Sequence, residues 1–200
     1  MICVFCGAAS GRALSYTAAA RDLGELLARR GIGLVYGGGN VGLMGELADA
    51  VLDAGGQTIG VIPQQLVDRE IAHAGLTELH VVENLHRRKA LMAELADAFL
   101  SLPGGIGTME ELFEVWSWGK LGLHSKPCGL LNVDGYFDSL RTLADQMVTE
   151  GFLEPVYREM LLIEDQPSML LDRLATYVPP GKWSAAERLA SGDNSRSAAG

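Results

Sequence analysis

Two charged residues and two glycine-rich turns are the parts of this sequence best suited to chemistry. The run Leu102-Pro103-Gly104-Gly105-Ile106-Gly107-Thr108-Met109-Glu110-Glu111 joins an apolar strand to a helix. Thr108 and Glu111 have the spacing of a capping box, typically worth about 1 kcal/mol. A capping box needs neither a proline nor three glycines before it. The excess points to backbone held open, so that N–H groups at a helix N-terminus can meet a ligand phosphate. At about 100° per residue, Met109, Leu112, Phe113 and Trp116 share one helix face, and Glu111 lies nearly opposite. Its carboxylate is expected to face solvent, ligand or a second subunit. In the preceding helix the apolar stripe is Leu85, Leu91, Met92 and Leu95, and Arg88 falls inside it. An arginine there is paired, faces a polar pocket, or snorkels near the helix start.

The earlier turn, Gly37-Gly38-Gly39-Asn40-Val41-Gly42-Leu43-Met44-Gly45, also follows a strand and opens a helix. Its glycines serve either tight helix–strand packing or a nucleotide phosphate. Gly37, Gly39 and Gly42 satisfy the dinucleotide pattern G-x-G-x-x-G. That fingerprint also needs an acid ending the next strand, about 20 residues on, to hold a ribose. The next strand ends Gly60-Val61-Ile62-Pro63 without one, which argues against NAD. The absence of a Walker lysine argues against ATP-driven phosphoryl transfer.

The elements that must position these residues follow from hydrophobic periodicity. Short apolar strands at 2–5, 33–36, 58–62, 78–82, 98–102, 128–132 and 161–164 alternate with helical patterns at 15–30, 43–54, 85–96, 109–119, 137–150 and 168–177. Residues 63–74 read as a less regular connection. Apolar strands separated by helices imply an α/β fold, a Rossmann-like, doubly wound parallel sheet with helices on both faces. Such folds bind ligands at the carboxyl ends of their strands, where both glycine turns fall.

With 200 residues, 48% hydrophobic and 20% charged, the chain is expected to form a single domain over 1–178. The small, polar stretch 179–200 is expected to be a disordered tail. A net charge of −9 speaks against nucleic acid as a partner. No run approaches the roughly 18 to 20 apolar residues of a membrane span, and no signal peptide pattern opens the chain. Three cysteines imply no disulfide framework. A soluble, cytoplasmic protein is the expectation.

On these residues the sequence resembles the LOG ("lonely guy") family, cytokinin-activating phosphoribohydrolases long mislabelled as lysine decarboxylases. Pro103-Gly104-Gly105-Ile106-Gly107-Thr108-Met109-Glu110-Glu111 is similar to the family motif P-G-G-x-G-T-x-x-E. The likeness runs from Val4-Phe5-Cys6-Gly7 to about Val178. It passes through Tyr36-Gly37-Gly38-Gly39, Gly42-Leu43-Met44-Gly45, Gly60-Val61-Ile62-Pro63, Arg69-Glu70-Ile71 and His86-Arg87-Arg88-Lys89-Ala90. The resemblance implies hydrolysis of the N-glycosidic bond of an N6-modified adenosine 5′-monophosphate to free base and ribose 5-phosphate. It implies Arg88 and Glu111 as the catalytic pair, and Gly105, Gly107 and Thr108 as the phosphate cradle. Glu70, Lys89, Ile106, Met109, Glu110 and Ser117 would complete the substrate site. It also implies a homodimer with the pocket near the subunit interface, and no cofactor. One departure is Cys6-Gly7-Ala8-Ala9 where the family has Cys-Gly-Ser-Ser. Two hydroxyls are lost there, and Ser10 follows as a substitute.

Cleavage of such a bond passes through an oxocarbenium-like ribosyl cation. It needs negative charge near the sugar, a water, and help for the departing base. Glu111 can supply the first and orient or deprotonate the second. Arg88 stays protonated and is no general acid, but it can hold substrate and Glu111 in place and offset charge on the leaving purine. Phosphate binding supplies remote energy for that positioning. No metal is required. His73, His80, His86 and His124 lack ligand spacing and read as surface or capping residues. Cys3 and Cys6 read as small hydrophobes whose spacing puts them on opposite faces of the sheet. Nothing marks Lys89, Lys120, Lys126 or Lys182 as a Schiff-base lysine for pyridoxal phosphate. The rival readings are a plain AMP nucleosidase and a non-catalytic nucleotide or molybdenum-cofactor carrier. The presence of both Arg88 and Glu111 favours the hydrolase.

Overall fold

The chain runs β1 (Ile2–Phe5), α1 (Leu14–Arg29), β2 (Leu34–Tyr36), α2 (Gly42–Asp53), β3 (Thr58–Pro63), α3 (Gln64–Val67), β4 (Glu78–Val82), α4 (Leu85–Leu95) and β5 (Ala98–Ser101). It continues with α5 (Ile106–Lys120), β6 (Cys128–Leu131), α6 (Asp138–Thr149), α7 (Pro155–Arg158), β7 (Leu161–Glu164) and α8 (Pro167–Ala175). A 3₁₀ turn at Val133–Gly135 links β6 to α6. The computed structural model describes residues 1–67 and 72–179.

The strands pair into one parallel, seven-stranded sheet in the order β4-β3-β2-β1-β5-β6-β7. Their apolar runs are continuous because both faces are covered. Side chains alternate between faces. Ile2 and Val4 join the core under α1, α2 and α8, while Cys3 and Phe5 join the core under α4, α5 and α6. Cys6 belongs to the first core and Cys3 to the second, so they are buried on opposite faces, as their spacing requires. The chain leaves β1 through β2, β3 and β4, then returns at β5 on the other side of β1. The fold is thus Rossmann-like and doubly wound, with its switch point between the carboxyl ends of β1 and β5, the place where folds of this kind form a crevice.

Most element bounds fall within two residues of those expected from periodicity. The four-residue helices α3 and α7 escape it because one turn carries no period. Leu85, assigned to an apolar stripe, is exposed at the start of α4, where no element covers it. Glu70, with Arg69 and Ile71, lies outside the described residues, as does nearly all of the tail expected over 179–200. Among the described residues, no helix is long and apolar enough to cross a membrane.

Candidate active site

Three turns meet over the β1–β5 crevice and are laced by backbone hydrogen bonds. Gly7 N–H donates to the Pro103 carbonyl at 3.1 Å, and Leu43 N–H donates to the Gly7 carbonyl at 3.0 Å. This lacing explains most of the glycines. Gly42 has φ +57°, and a Cβ there would strike the Ala8 backbone. A Cβ on Gly104 would overlap the Thr108 side chain and come within 2.9 Å of Gly7 N. Gly38, Gly42 and Gly45 of the earlier turn are thus accounted for by packing. One N–H at the start of α2 is already used by Gly7.

Gly105 and Gly107 are different. A Cβ at either would meet nothing within 4 Å, and neither has positive φ. Neither packing nor backbone strain calls for glycine there. Both border open space at the start of α5, where Gly105 is the N-cap and no side chain caps the helix. The capping box expected between Thr108 and Glu111 is therefore not formed. The helix begins at Ile106, so Thr108 already lies inside its first turn. The first N–H groups of a helix have no intrahelical acceptor, and here no side chain caps them.

The earlier start also changes which face of α5 is buried. Thr108, Leu112, Val115 and Trp116 pack on the sheet, while Met109 and Phe113 are only partly covered. Glu111 lies at the edge of that buried face, not opposite it. Its side chain is 13% exposed within a single chain, so of the readings left open for it, the one in open solvent is not what the structure shows. Arg88, also 13% exposed, reaches Glu111 from α4, with Nη2 3.5 Å from Oε1. The Arg88 Nε is buried with no hydrogen-bond partner among the described residues. Of the readings left open for Arg88, the paired one is what the structure shows. Two residues 23 apart in sequence are thus brought together near Cys6, whose buried thiol is raised by desolvation, further raised by Glu111 and lowered by Arg88. Burial raises the Glu111 carboxyl above the ordinary carboxylate value, against the downward pull of Arg88.

Lys89 bonds Glu110 and also pairs with Glu114 at 3.0 Å. Burial opposes its charge, but the two carboxylates prevail and hold its pKa above the ordinary lysine value. Ile106, Glu110 and Ser117 are exposed along α5. Asn84 caps α4 by accepting from Arg87 N–H at 2.9 Å, a cap the apolar pattern did not reveal. On the α1 side of the crevice lies a cavity of about 480 Å³, lined by Gly7 to Gly11, Tyr16, Leu43, Pro103 to Gly105 and Tyr136. Ser10, the residue next to the two missing hydroxyls, is on this wall. Arg88 and Glu111 are not part of the cavity lining.

Residues 44–174 match the family model described as "Possible lysine decarboxylase". The chain is 51% identical over 178 residues to the cytokinin riboside 5′-monophosphate phosphoribohydrolase LOG7 of Arabidopsis thaliana, covering 89% of this chain and 82% of that one. Against LOG3 of the same plant, identity is 49% over 178 residues, with 89% and 83% covered. This chain belongs to the LOG family. Against LOG of Oryza sativa subsp. japonica, identity is 49% over 178 residues, with 89% and 74% covered. Among solved structures, a molybdenum cofactor binding protein from Rippkaea orientalis aligns with TM-score 0.66 at 22% identity, covering 88% of this chain and 95% of that one. The carrier protein from Chlamydomonas reinhardtii aligns with TM-score 0.66 at 19% identity, covering 88% and 98%. At such identities the likeness is one of fold.

Two residues beside these candidates were not singled out individually from the sequence. Gly37 was visible only as part of a glycine run. Tyr136 carried no local signal, because its partner is 32 residues away. The histidines behave as ordinary side chains. His73 pairs with Asp49 and accepts from Gly75 N–H, and the half-buried His124 bonds the Val115 carbonyl.

Proposed function

We propose that the protein hydrolyses the N-glycosidic bond of N6-modified adenosine 5′-monophosphates, releasing the free base and ribose 5-phosphate. The observation that carries this reading is the Arg88–Glu111 pair, 3.5 Å apart beside the uncapped start of α5. The names of the LOG relatives support the substrate class. The 5′-phosphate sits against Gly105, Gly107 and Thr108, where helix N–H groups are unpaired. Glu111 then faces the ribose. Its carboxylate stabilises positive charge developing at C1′ and takes a proton from the attacking water. A raised pKa makes it a better base for that step. The C1′–N9 bond breaks with its electron pair going to the purine, which is protonated from solvent. Arg88 holds Glu111 and offsets the charge on the leaving base. Lys89, fixed by Glu110 and Glu114, together with Glu70, Ile106, Met109 and Ser117, completes the substrate site.

The active species in this reading is a cytoplasmic homodimer, formed by a domain spanning 1–178. Its three cysteines are free and buried, in keeping with a reducing compartment. Leu85 at the start of α4, and Ile106, Leu121 and Leu123 at the two ends of α5, are exposed apolar side chains that a second subunit would cover. Light scattering checks the mass.

The deciding assay compares base release from N6-isopentenyl-AMP and from AMP. Strong preference for the first is expected. Preference for AMP would leave a plain nucleosidase, and release from neither would leave a nucleotide carrier.

A further inference from the structure

The β6–α6 turn is more tightly built than a connection requires. Asn132, buried at its base, donates through Nδ2 to Asp138 at 3.1 Å and Asp165 at 3.2 Å, and accepts from Phe137 N–H at 2.7 Å. Asp134 has φ +51°, the one non-glycine residue with positive φ among the described residues. A non-glycine residue in that region carries strain that surrounding contacts must hold. Ser15 supplies one, its Oγ donating to Asp134 Oδ2 at 2.5 Å. Gly135 follows at φ +72°. The outcome of this construction is the placement of two aromatic rings. Phe137 is buried, whereas Tyr136 turns back across the sheet edge. The Tyr136 ring meets Tyr16 edge-on at 5.8 Å and Phe137 edge-on at 5.2 Å. Its hydroxyl donates to the Gly104 carbonyl at 2.5 Å.

That carbonyl stands at the entrance to the uncapped helix. The neighbouring carbonyls are also taken: Pro103 O accepts from Gly7 N–H at 3.1 Å, and Gly105 O accepts from Met109 N–H at 3.1 Å. With three successive carbonyls engaged, their negative ends are kept off the space beside Gly105 and Gly107. A free Gly104 carbonyl could rotate toward that space, where it would repel an anion and disorder the N–H groups. The geometry points to Tyr136 as a positioning residue for the phosphate cradle. It locks the Gly104 peptide so that the start of α5 presents only donors. The inference rests on the cradle reading above.

Tyr136→Phe removes one oxygen and keeps both ring contacts, so the fold has no reason to change. The test measures competitive inhibition of isopentenyl-AMP hydrolysis by ribose 5-phosphate, ribose and N6-isopentenyladenine, alongside a melting curve. The expected result is inhibition by ribose 5-phosphate weakened about three- to tenfold, the scale of one lost hydrogen bond between neutral groups. The constants for the other two inhibitors and the melting temperature should stay at parent values. Unchanged inhibition by ribose 5-phosphate would overturn the assignment. So would equal weakening of all three inhibitors with a lowered melting temperature, which would make Tyr136 structural. If ribose and ribose 5-phosphate inhibit the parent protein equally, the cradle itself fails, and that result is distinguishable from failure of Tyr136 alone.

Discussion

The guanidinium of Arg88 lies where a side chain on Gly37 would be. A Cβ built on Gly37 overlaps Nη2 and comes within 3.0 Å of Cζ. Gly37 has no positive φ, so its backbone would accept alanine. Gly37→Ala is therefore a way to move Arg88 without touching it. A displacement near 1 Å at a reacting centre lowers turnover about 10²-fold. The expected outcome is a loss of that order in kcat for isopentenyl-AMP, in a protein that still folds. A parent-like kcat would mean that the placement of Arg88 does not matter to the reaction.

Glu111→Gln should separate activity from stability. Removing the charge that opposes an oxocarbenium ion is expected to lower kcat by about 10²- to 10³-fold or more. Stability should move the other way. Burial holds the Glu111 pKa above its ordinary value, so the fold favours the neutral carboxyl. That contribution is complete below the ordinary value and is lost as pH rises through the raised folded value. At neutral pH the ionised side chain therefore weakens the fold, and a neutral isostere relieves it. The melting temperature of the variant at pH 7 should equal or exceed the parent's. A clear drop would show that the ionised pair with Arg88 is worth more than its burial costs.

The same electrostatics set the pH profile. The ionised form of Glu111 is the active one, so the acid limb of kcat/KM should lie above pH 4.5, the ordinary glutamate value. Arg88 pulls that pKa down. In Arg88→Gln the residual activity should show its acid limb at a higher pH than the parent's. A limb that stays put would assign it to another group.

Arg88→Ala should cost activity far more than stability. An arginine serving as a well-made buried counter-ion would cost about 3 to 5 kcal/mol on removal. The contact here is looser, at 3.5 Å, and Nε is unbonded among the described residues. Glu111 can also take up a proton when its partner is gone. Turnover and thermal melting on one preparation decide the matter. A large fall in melting temperature with normal specific activity would make the pair structural.

How much of this was legible in the sequence depended on range. The sheet was legible because runs such as Ile2–Phe5 and Ala98–Ser101 are buried on both faces and announce themselves locally. Arg88 was legible as an oddity, since one charge in an apolar stripe needs a reason. The start of α5 was not, because glycine is a poor helix former and the apolar period begins only at Met109. That hid Thr108 inside the helix and turned the inferred face, so that Glu111 fell opposite the buried side instead of at its edge. Contacts between turns, such as Tyr136 with Gly104 or Gly37 with Arg88, leave no trace in any single segment. They are set by strand order, which brings distant loops to one edge.

The sharpest separation of packing from ligand binding is at Gly107. Within the chain nothing asks for glycine there, since a Cβ meets no atom within 4 Å and φ is not positive. It also lies inside α5, where replacing glycine by alanine typically gains up to about 1 kcal/mol, partly by restricting the unfolded chain. If only the protein's own structure mattered, Gly107→Ala would be neutral or stabilising in every assay. If a phosphate must approach the backbone N–H groups at 106–108, a methyl group stands in its path. The expected outcome is therefore a variant that melts at or above the parent temperature yet has a much larger KM for isopentenyl-AMP. Its KM for the unphosphorylated riboside, wherever that substrate turns over, should be unchanged. A variant with both higher stability and the parent KM would show that the turn is open for some reason other than phosphate, and the cradle would have to be sought elsewhere on the sheet's carboxyl edge.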